Sequence, residues 1–285
     1  MRMTGCCQPA AALLSALLLL GGCSGLRVIF PSHDHDTDPP DIPELSRPAV
    51  LVLSKTNGFR HEEAIPAAHT ALEAIAKKRG WSLFATENGA VINDDDLTKF
   101  DVVVFQNTSG PILSETQETA LRSWVEKGGG FVGIHGAGGD PSYEWGWYGT
   151  DLIGAQFTGH PMGPQFQEAT VIVEDSEHPA SKHLPANWVR TDEWYSFEES
   201  PRNKGVRVLA KLDETTYSPE MHLFYFINTD LRMGEDHPVL WSQCIGEGRS
   251  LYSAMGHAAS AYEEELYVGV LEGGIAWAAG LEGDC

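Results

Sequence analysis

The chain alternates short, wholly apolar runs with longer amphipathic stretches. Ala49 to Ser54 (AVLVLS) and Asp101 to Gln106 (DVVVFQ) are near-continuous apolar runs of strand length, and Phe131 to His135 repeats the pattern after Gly128-Gly129-Gly130. Such runs suit strands covered on both faces, as in a parallel sheet. Between the first two, Ile65, Ala68, Leu72, Ile75 and Ala76 recur at helical spacing within 61–79, and Gly80 follows. A helix stopped by a glycine is predicted there. Trp81 to Thr86 reads as a strand and Asp94 to Lys99 as a short helix. Ser114 and Gln117 carry a capping-box signature for a helix running to Lys127. This strand–helix alternation predicts a doubly wound, mostly parallel α/β sheet. The second half is less regular. Strands are predicted at Thr170 to Glu174, Trp188 to Tyr195 and Val206 to Leu212, as partly antiparallel extensions. Leu240 to Cys244 and Ser250 to Met255 read as a closing pair turned at Gly246-Glu247-Gly248, and Glu263 to Ala279 as a last helix. No internal repeat and no second domain are visible.

The N-terminus is patterned differently. Arg2 precedes the apolar run Ala10 to Leu20, which ends in Leu20-Gly21-Gly22-Cys23. The run is shorter than the roughly 20 residues a bilayer span needs and fits a signal-peptide core. Small residues before a Cys resemble a lipobox, which implies a signal peptide over 1–22 and lipidation of Cys23. Residues 23–48, rich in Asp and Pro and containing His33-Asp34-His35-Asp36, are expected to be a disordered, extended linker. The folded domain is expected over 49–285. The expected location is extracytoplasmic and membrane-anchored, on the periplasmic face of the outer membrane, because Ser24 rather than Asp follows Cys23.

Charge narrows the partners. The formal net charge is −21, and the only charged residue of the leader is Arg2, so the exported part is more acidic still. Such a surface repels phosphate backbones, which disfavours nucleic acid, and leaves membrane attachment to the acyl chains alone. Cys6 and Cys7 leave with the leader. Cys244 and Cys285 remain in an oxidising compartment. A bridge between them, and a buried free Cys244 with a frayed Cys285, are both open on the sequence.

In open α/β sheets, ligands bind beyond the carboxyl ends of the strands. Arg60 and His61 follow the first strand, His135 ends the strand after the triple glycine, and His257 follows Ser250 to Met255. The first strand and the Phe131–His135 strand are expected to be neighbours, and Gly133 and Gly136 are expected to turn the backbone so that His135 is exposed. A single His is more often structural than catalytic. Three strand-terminal His residues at one sheet edge point to proton transfer near pH 7. His160, Asp192 and Glu193 add further polar candidates. Trp145, Trp147, Trp194 and Tyr195 are candidates for stacking on sugar rings, although any one of them also suits a core.

Taken in order, GFRH (58–61), GGGFVGIHGA (128–137), GAQFTGHP (154–161), EHPA (177–180), DEWY (192–195), PVLW (238–241) and GEGRSLYSAMGH (246–257) resemble ThuA-like, or trehalose-utilisation, domains over about residues 49–280. The resemblance implies a three-layer, flavodoxin-like sheet similar to that of class I glutamine amidotransferases. In those enzymes a G-x-C-x-G elbow presents a cysteine. Here the elbow is Gly133-Ile134-His135-Gly136-Ala137, and the acidic partner expected two residues after His257 is replaced by Ala259. Without a thiolate there is no acyl-enzyme route for glutamine hydrolysis. The expected role is action on a small carbohydrate, a disaccharide or keto-sugar. His135, His61, Glu193 and His257 are the expected catalytic set, and Arg60, His160, Asp192, Trp194, Tyr195, Trp145 and Trp147 the expected substrate contacts. The alternative is a non-catalytic sugar-binding lipoprotein. No cofactor is required. Imidazole and carboxylate ligands would suit a divalent metal ion, but no HExxH-type spacing is present.

Overall fold

The computed structural model describes residues 27, 30–140, 144–223 and 227–285. The leader, Cys23 and Tyr143 lie outside the described residues. A nine-stranded sheet forms the body. Its parallel half comprises β1 (Ala49–Leu53), β2 (Ser82–Thr86), β3 (Val102–Gln106), β4 (Gly130–Ile134) and β13 (Gly248–Ser253). Its antiparallel half comprises β6 (Phe166–Val173), β7 (Asn187–Glu193), β9 (Arg207–Asp213) and β12 (Pro238–Ile245). The order across the sheet is β2-β1-β3-β4-β13-β12-β9-β6-β7. Two small pairs lie apart from it: β5 (Phe157–Gly159) with β8 (Ser196–Phe197), and β10 (Glu220–Leu223) with β11 (Ile227–Asp230).

The apolar runs become the centre of the sheet because every residue of β1, β3 and β4 is buried. The chain steps one way from β1 to β2 and the other way from β2 to β3 to β4. Right-handed crossovers therefore put α1 (Ala64–Arg79) on one face, and α2 (Asp94–Leu97) and α3 (Glu115–Glu126) on the opposite face. The last helix, α4 (Glu265–Ala278), packs with α1. Gly80 stops α1 in the left-handed conformation, φ 71°, and both halves of the Ser114–Gln117 capping box are formed.

Three features differ from the sequence reading. Residues 32–48 do not run free. Asp36 accepts from Lys55 Nζ at 2.6 Å and from the Gly89 N–H at 2.8 Å, Gln117 donates to the Asp36 carbonyl, and Arg47 pairs with Asp101. Acidic residues that suggested a solvated tether are thus spent on specific partners on the domain. Second, β3 lies between β1 and β4, so the strands that lead to His61 and His135 are not neighbours. Third, β6 begins at Phe166, four residues earlier than expected, and carries the chain into the site. Cys244 and Cys285 are joined as a disulfide, tying the last residue to β12. No helix among the described residues is long and apolar enough to cross a membrane.

Candidate functional site

The parallel strands deliver their carboxyl ends to one edge. The loop after β1 brings His61, β3 ends beside Asn107, β4 ends at His135, and β13 leads to His257. β7 belongs to the far edge of the sheet, yet the Gly256 and His257 N–H groups donate to Asp192 at 2.9 and 3.2 Å. The β6–β7 arm is therefore bent back over the strand ends, and it delivers Glu193.

His61, His135 and His257 form a near-equilateral triangle. Ring centroids are 5.0 Å apart for His61–His135, 4.7 Å for His61–His257 and 5.0 Å for His135–His257, with interplanar angles of 77–82°. His135 Nδ1 lies 2.8 Å from the Ala254 carbonyl, to which it donates, and Nε2 faces inward. That Nε2 is 3.1 Å from His257 Nδ1 and 3.3 Å from Glu193 Oε2, and His257 Nδ1 is 2.9 Å from the same oxygen. The other carboxylate oxygen, Oε1, accepts from the Gln165 amide and pairs with His160 Nδ1 at 3.1 Å. His61, His135 and His257 each offer a metal ion one ring nitrogen, and these atoms all lie within 4.8 Å of one another.

Burial alone would raise the Glu193 carboxyl, but the surrounding histidines His160, His135 and His257 outweigh it and hold it well below the usual range. Burial, reinforced by the charges of His135 and His257, pushes His61 well below 6.5. At neutral pH the site therefore holds a carboxylate and a neutral His61. The opening lies at His257 and His160, whose side chains are 16% and 26% exposed, and at Phe166, which packs edge-on to His257 at 5.0 Å.

The local backbone is built for this convergence. His135 adopts φ +45° and Asn107 φ +51°, both in the left-handed region that costs a non-glycine residue about 1 kcal/mol or more. Asn107 donates to the Tyr262 hydroxyl and accepts from the Gly136 N–H, so it braces the elbow. Gly136 must be glycine because a Cβ there would lie 2.9 Å from His61 Cε1. Tyr195 stacks on His135 at 4.2 Å, and the Tyr252 hydroxyl donates to the His135 carbonyl.

Several expected roles change. His135 is fully buried rather than exposed at the elbow, because Tyr195, His61 and His257 enclose it. Asp192 is buried, and its carboxylate is engaged within the protein. Its oxygens accept from the Gly256, His257 and Glu193 N–H groups and pair with Arg190, so it positions the His257 loop. Trp194 is a core residue whose indole N–H donates to the Gln167 carbonyl. Tyr195 positions His135 from a buried place. Arg60 is turned towards the end of β2, where Glu87 engages it with two hydrogen bonds. Trp145 and Trp147 stand apart from the triangle. Trp145 lines a shallow recess with Glu118, Glu144 and Tyr148, and Trp147 packs under Arg122. None of the three histidines, His160 or Glu193 lines that recess. Asn107, Gln165 and Phe166 were missed by the sequence reading. Gln165 and Phe166 sit in a stretch without periodicity, and only the strand-terminal place of Asn107 offered a signal.

Residues 49–278 match the family model ThuA, described as trehalose utilisation. The chain belongs to the ThuA family. A ThuA-like protein from Bacteroides uniformis is 25% identical, with a TM-score of 0.69 over 85% of this chain and 95% of that one. A ThuA-like protein from Parabacteroides merdae shares the fold at 18% identity, with a TM-score of 0.54 over 81% of this chain and 89% of that one. The PurLQS structure from Thermotoga maritima shares the fold alone, at 13% identity and a TM-score of 0.50, over 81% of this chain and 99% of that one. No curated protein is matched by the sequence.

Proposed function

We propose that this ThuA-family protein is an exported lipoprotein that acts on a disaccharide or an oxidised keto-sugar at the edge formed by His257, His160 and Phe166. The observation that carries the reading is the meeting of a buried carboxylate and three imidazoles at one point of the strand edge, open on the His257 and His160 side. Glu193 orients His257 as a carboxylate does in an acid–base pair, so that the imidazole moves a proton to or from a sugar oxygen or the adjacent carbon. Phe166, 42% exposed beside His257, offers an apolar face for a sugar ring. His135 at the elbow and the joining of Cys244 to Cys285 leave no free thiol for glutamine hydrolysis among the described residues. The lipobox-like end of the leader supports export, and Cys23→Ala should abolish incorporation of labelled palmitate.

The test incubates the mature chain with trehalose, other disaccharides and their keto derivatives. Turnover that His257→Gln abolishes without changing the melting temperature supports the reading. Binding without turnover favours the sugar-binding lipoprotein, and neither binding nor turnover of any sugar rejects both.

A further inference from the structure

We propose that His61, His135 and His257, together with Glu193, form a binding site for a divalent first-row transition metal ion of the Zn2+ type. The proposal deepens the reading of the same site given above, but it stands on the geometry of the side chains alone. In a tetrahedral site with metal–ligand bonds of about 2.0–2.1 Å, ligand atoms lie roughly 3.3 Å apart. The three atoms His135 Nε2, His257 Nδ1 and Glu193 Oε2 are separated by 3.1, 3.3 and 2.9 Å. Imidazoles that share such an ion have ring centroids about 5 Å apart at the same bond lengths. The three observed separations are 5.0, 4.7 and 5.0 Å.

The hydrogen-bond partners point the same way. The Ala254 carbonyl engages His135 Nδ1, which leaves Nε2 as the atom that faces the cluster. Nε2 of His135 and Oε2 of Glu193 face each other at 3.3 Å. His61 Nδ1 is buried with no hydrogen-bond partner at all, which costs about 1–3 kcal/mol unless a ligand uses the lone pair.

The surroundings are those of a metal site. Protein metal ligands are oriented by outer hydrogen bonds. Here the Ala254 carbonyl fixes His135, Gln165 and His160 hold Oε1 of Glu193 so that Oε2 points at the triangle, and Asp192 anchors the His257 backbone. Mg2+ and Ca2+ prefer all-oxygen shells, whereas imidazole with one carboxylate selects Zn2+ and its neighbours. The solvent-reachable side at His257 and His160 leaves room for a further ligand from solvent or a sugar hydroxyl.

The experiment titrates the chelator-treated mature chain with Co2+, read by its visible ligand-field bands, and with Zn2+, read by calorimetry. One ion per chain is expected. His61→Gln and His257→Ala should each weaken binding by at least about 100-fold, and the supporting change Gln165→Ala by about 10-fold, the lower end for an outer partner. His33→Ala/His35→Ala controls for capture by the N-terminal His-Asp segment and should leave the affinity unchanged. Circular dichroism confirms that each variant folds. His61→Gln decides if the others do not, because it keeps the side-chain bulk. Absence of stoichiometric binding, wild-type affinity in folded His61→Gln, or loss of binding in the His33/His35 variant overturns the proposal. One ion bound with no sugar turned over rejects only the carbohydrate reading, and turnover that survives full metal removal, with no Co2+ uptake, rejects only the metal site.

Discussion

Asp192→Asn tests the account of how the far edge of the sheet reaches the histidines. All four groups around the Asp192 carboxylate are donors: the N–H groups of Gly256, His257 and Glu193, and the Arg190 guanidinium at 3.1 Å. Asp192 and Arg190 are 1% and 5% exposed. Asparagine has the same shape but carries one NH2, and in either amide orientation that NH2 meets donors only. One orphaned backbone N–H costs about 1–3 kcal/mol, and breaking a buried ion pair on one side costs about 3–5 kcal/mol. The two overlap, because the same carboxylate serves both, and about 3–6 kcal/mol is expected in total. At about 2–4 °C per kcal/mol for a domain of this size, the melting temperature should fall by about 6–24 °C. The assay is a thermal melt followed by circular dichroism near pH 7.5, with sugar turnover measured at a temperature where the variant is still folded. A fall below about 3 °C would refute the argument and return Asp192 to the role of a substrate contact. A large fall with turnover unchanged would refute its part in placing His257.

Gly136→Ala puts a methyl 2.9 Å from His61 Cε1 and 3.3 Å from the Asn107 backbone. It should abolish turnover while lowering the melting temperature by only about 2–12 °C, as overpacking of about 1–3 kcal/mol does; wild-type turnover would disprove the need for glycine. His61 is held below its unfolded value of 6.5, so the unfolded chain takes up the proton first. Stability should fall as pH drops below 6.5, by up to about 1.4 kcal/mol per unit from this residue. Glu193, held below 4.5, loses its stabilising contribution only as pH falls further. A pH series of melts should show both phases, and His61→Gln should remove the upper one. Burial, with Glu115 and Glu144 nearby, raises Glu118 to about 7. Its ionisation is therefore a cost to the folded state that builds from pH 4.5 and is complete above about pH 7. Glu118→Gln should raise the melting temperature at pH 8 and leave it nearly unchanged at pH 4, and equal effects at both would show that packing rather than charge is responsible.

The sequence by itself determined the sheet's parallel half and three of the four groups of the central cluster. Continuous apolar runs such as AVLVLS and VVVF can be covered only on both faces, and strands so covered must be joined by crossovers that put their carboxyl ends on one edge. His61, His135 and His257 could therefore be placed together from chain order alone. Glu193 is expected in the same catalytic set, but only through the family resemblance, and nothing local set it against His257. That required β7, at the far edge of the sheet, to bend back so that Asp192 captured the Gly256 and His257 N–H groups. The aromatic residues show the same limit from the other side. Trp194 and Tyr195 follow Glu193 directly, yet one fills the core and the other stacks on His135. Residue type sets what a side chain can do, whereas its partners come from pairings between residues distant in the chain. Asp36 with Lys55, Asp192 with Gly256 and Cys244 with Cys285 are such pairings. Hydrophobic periodicity reports which face of an element is buried but not which distant element covers it, so only the tertiary structure decided these contacts.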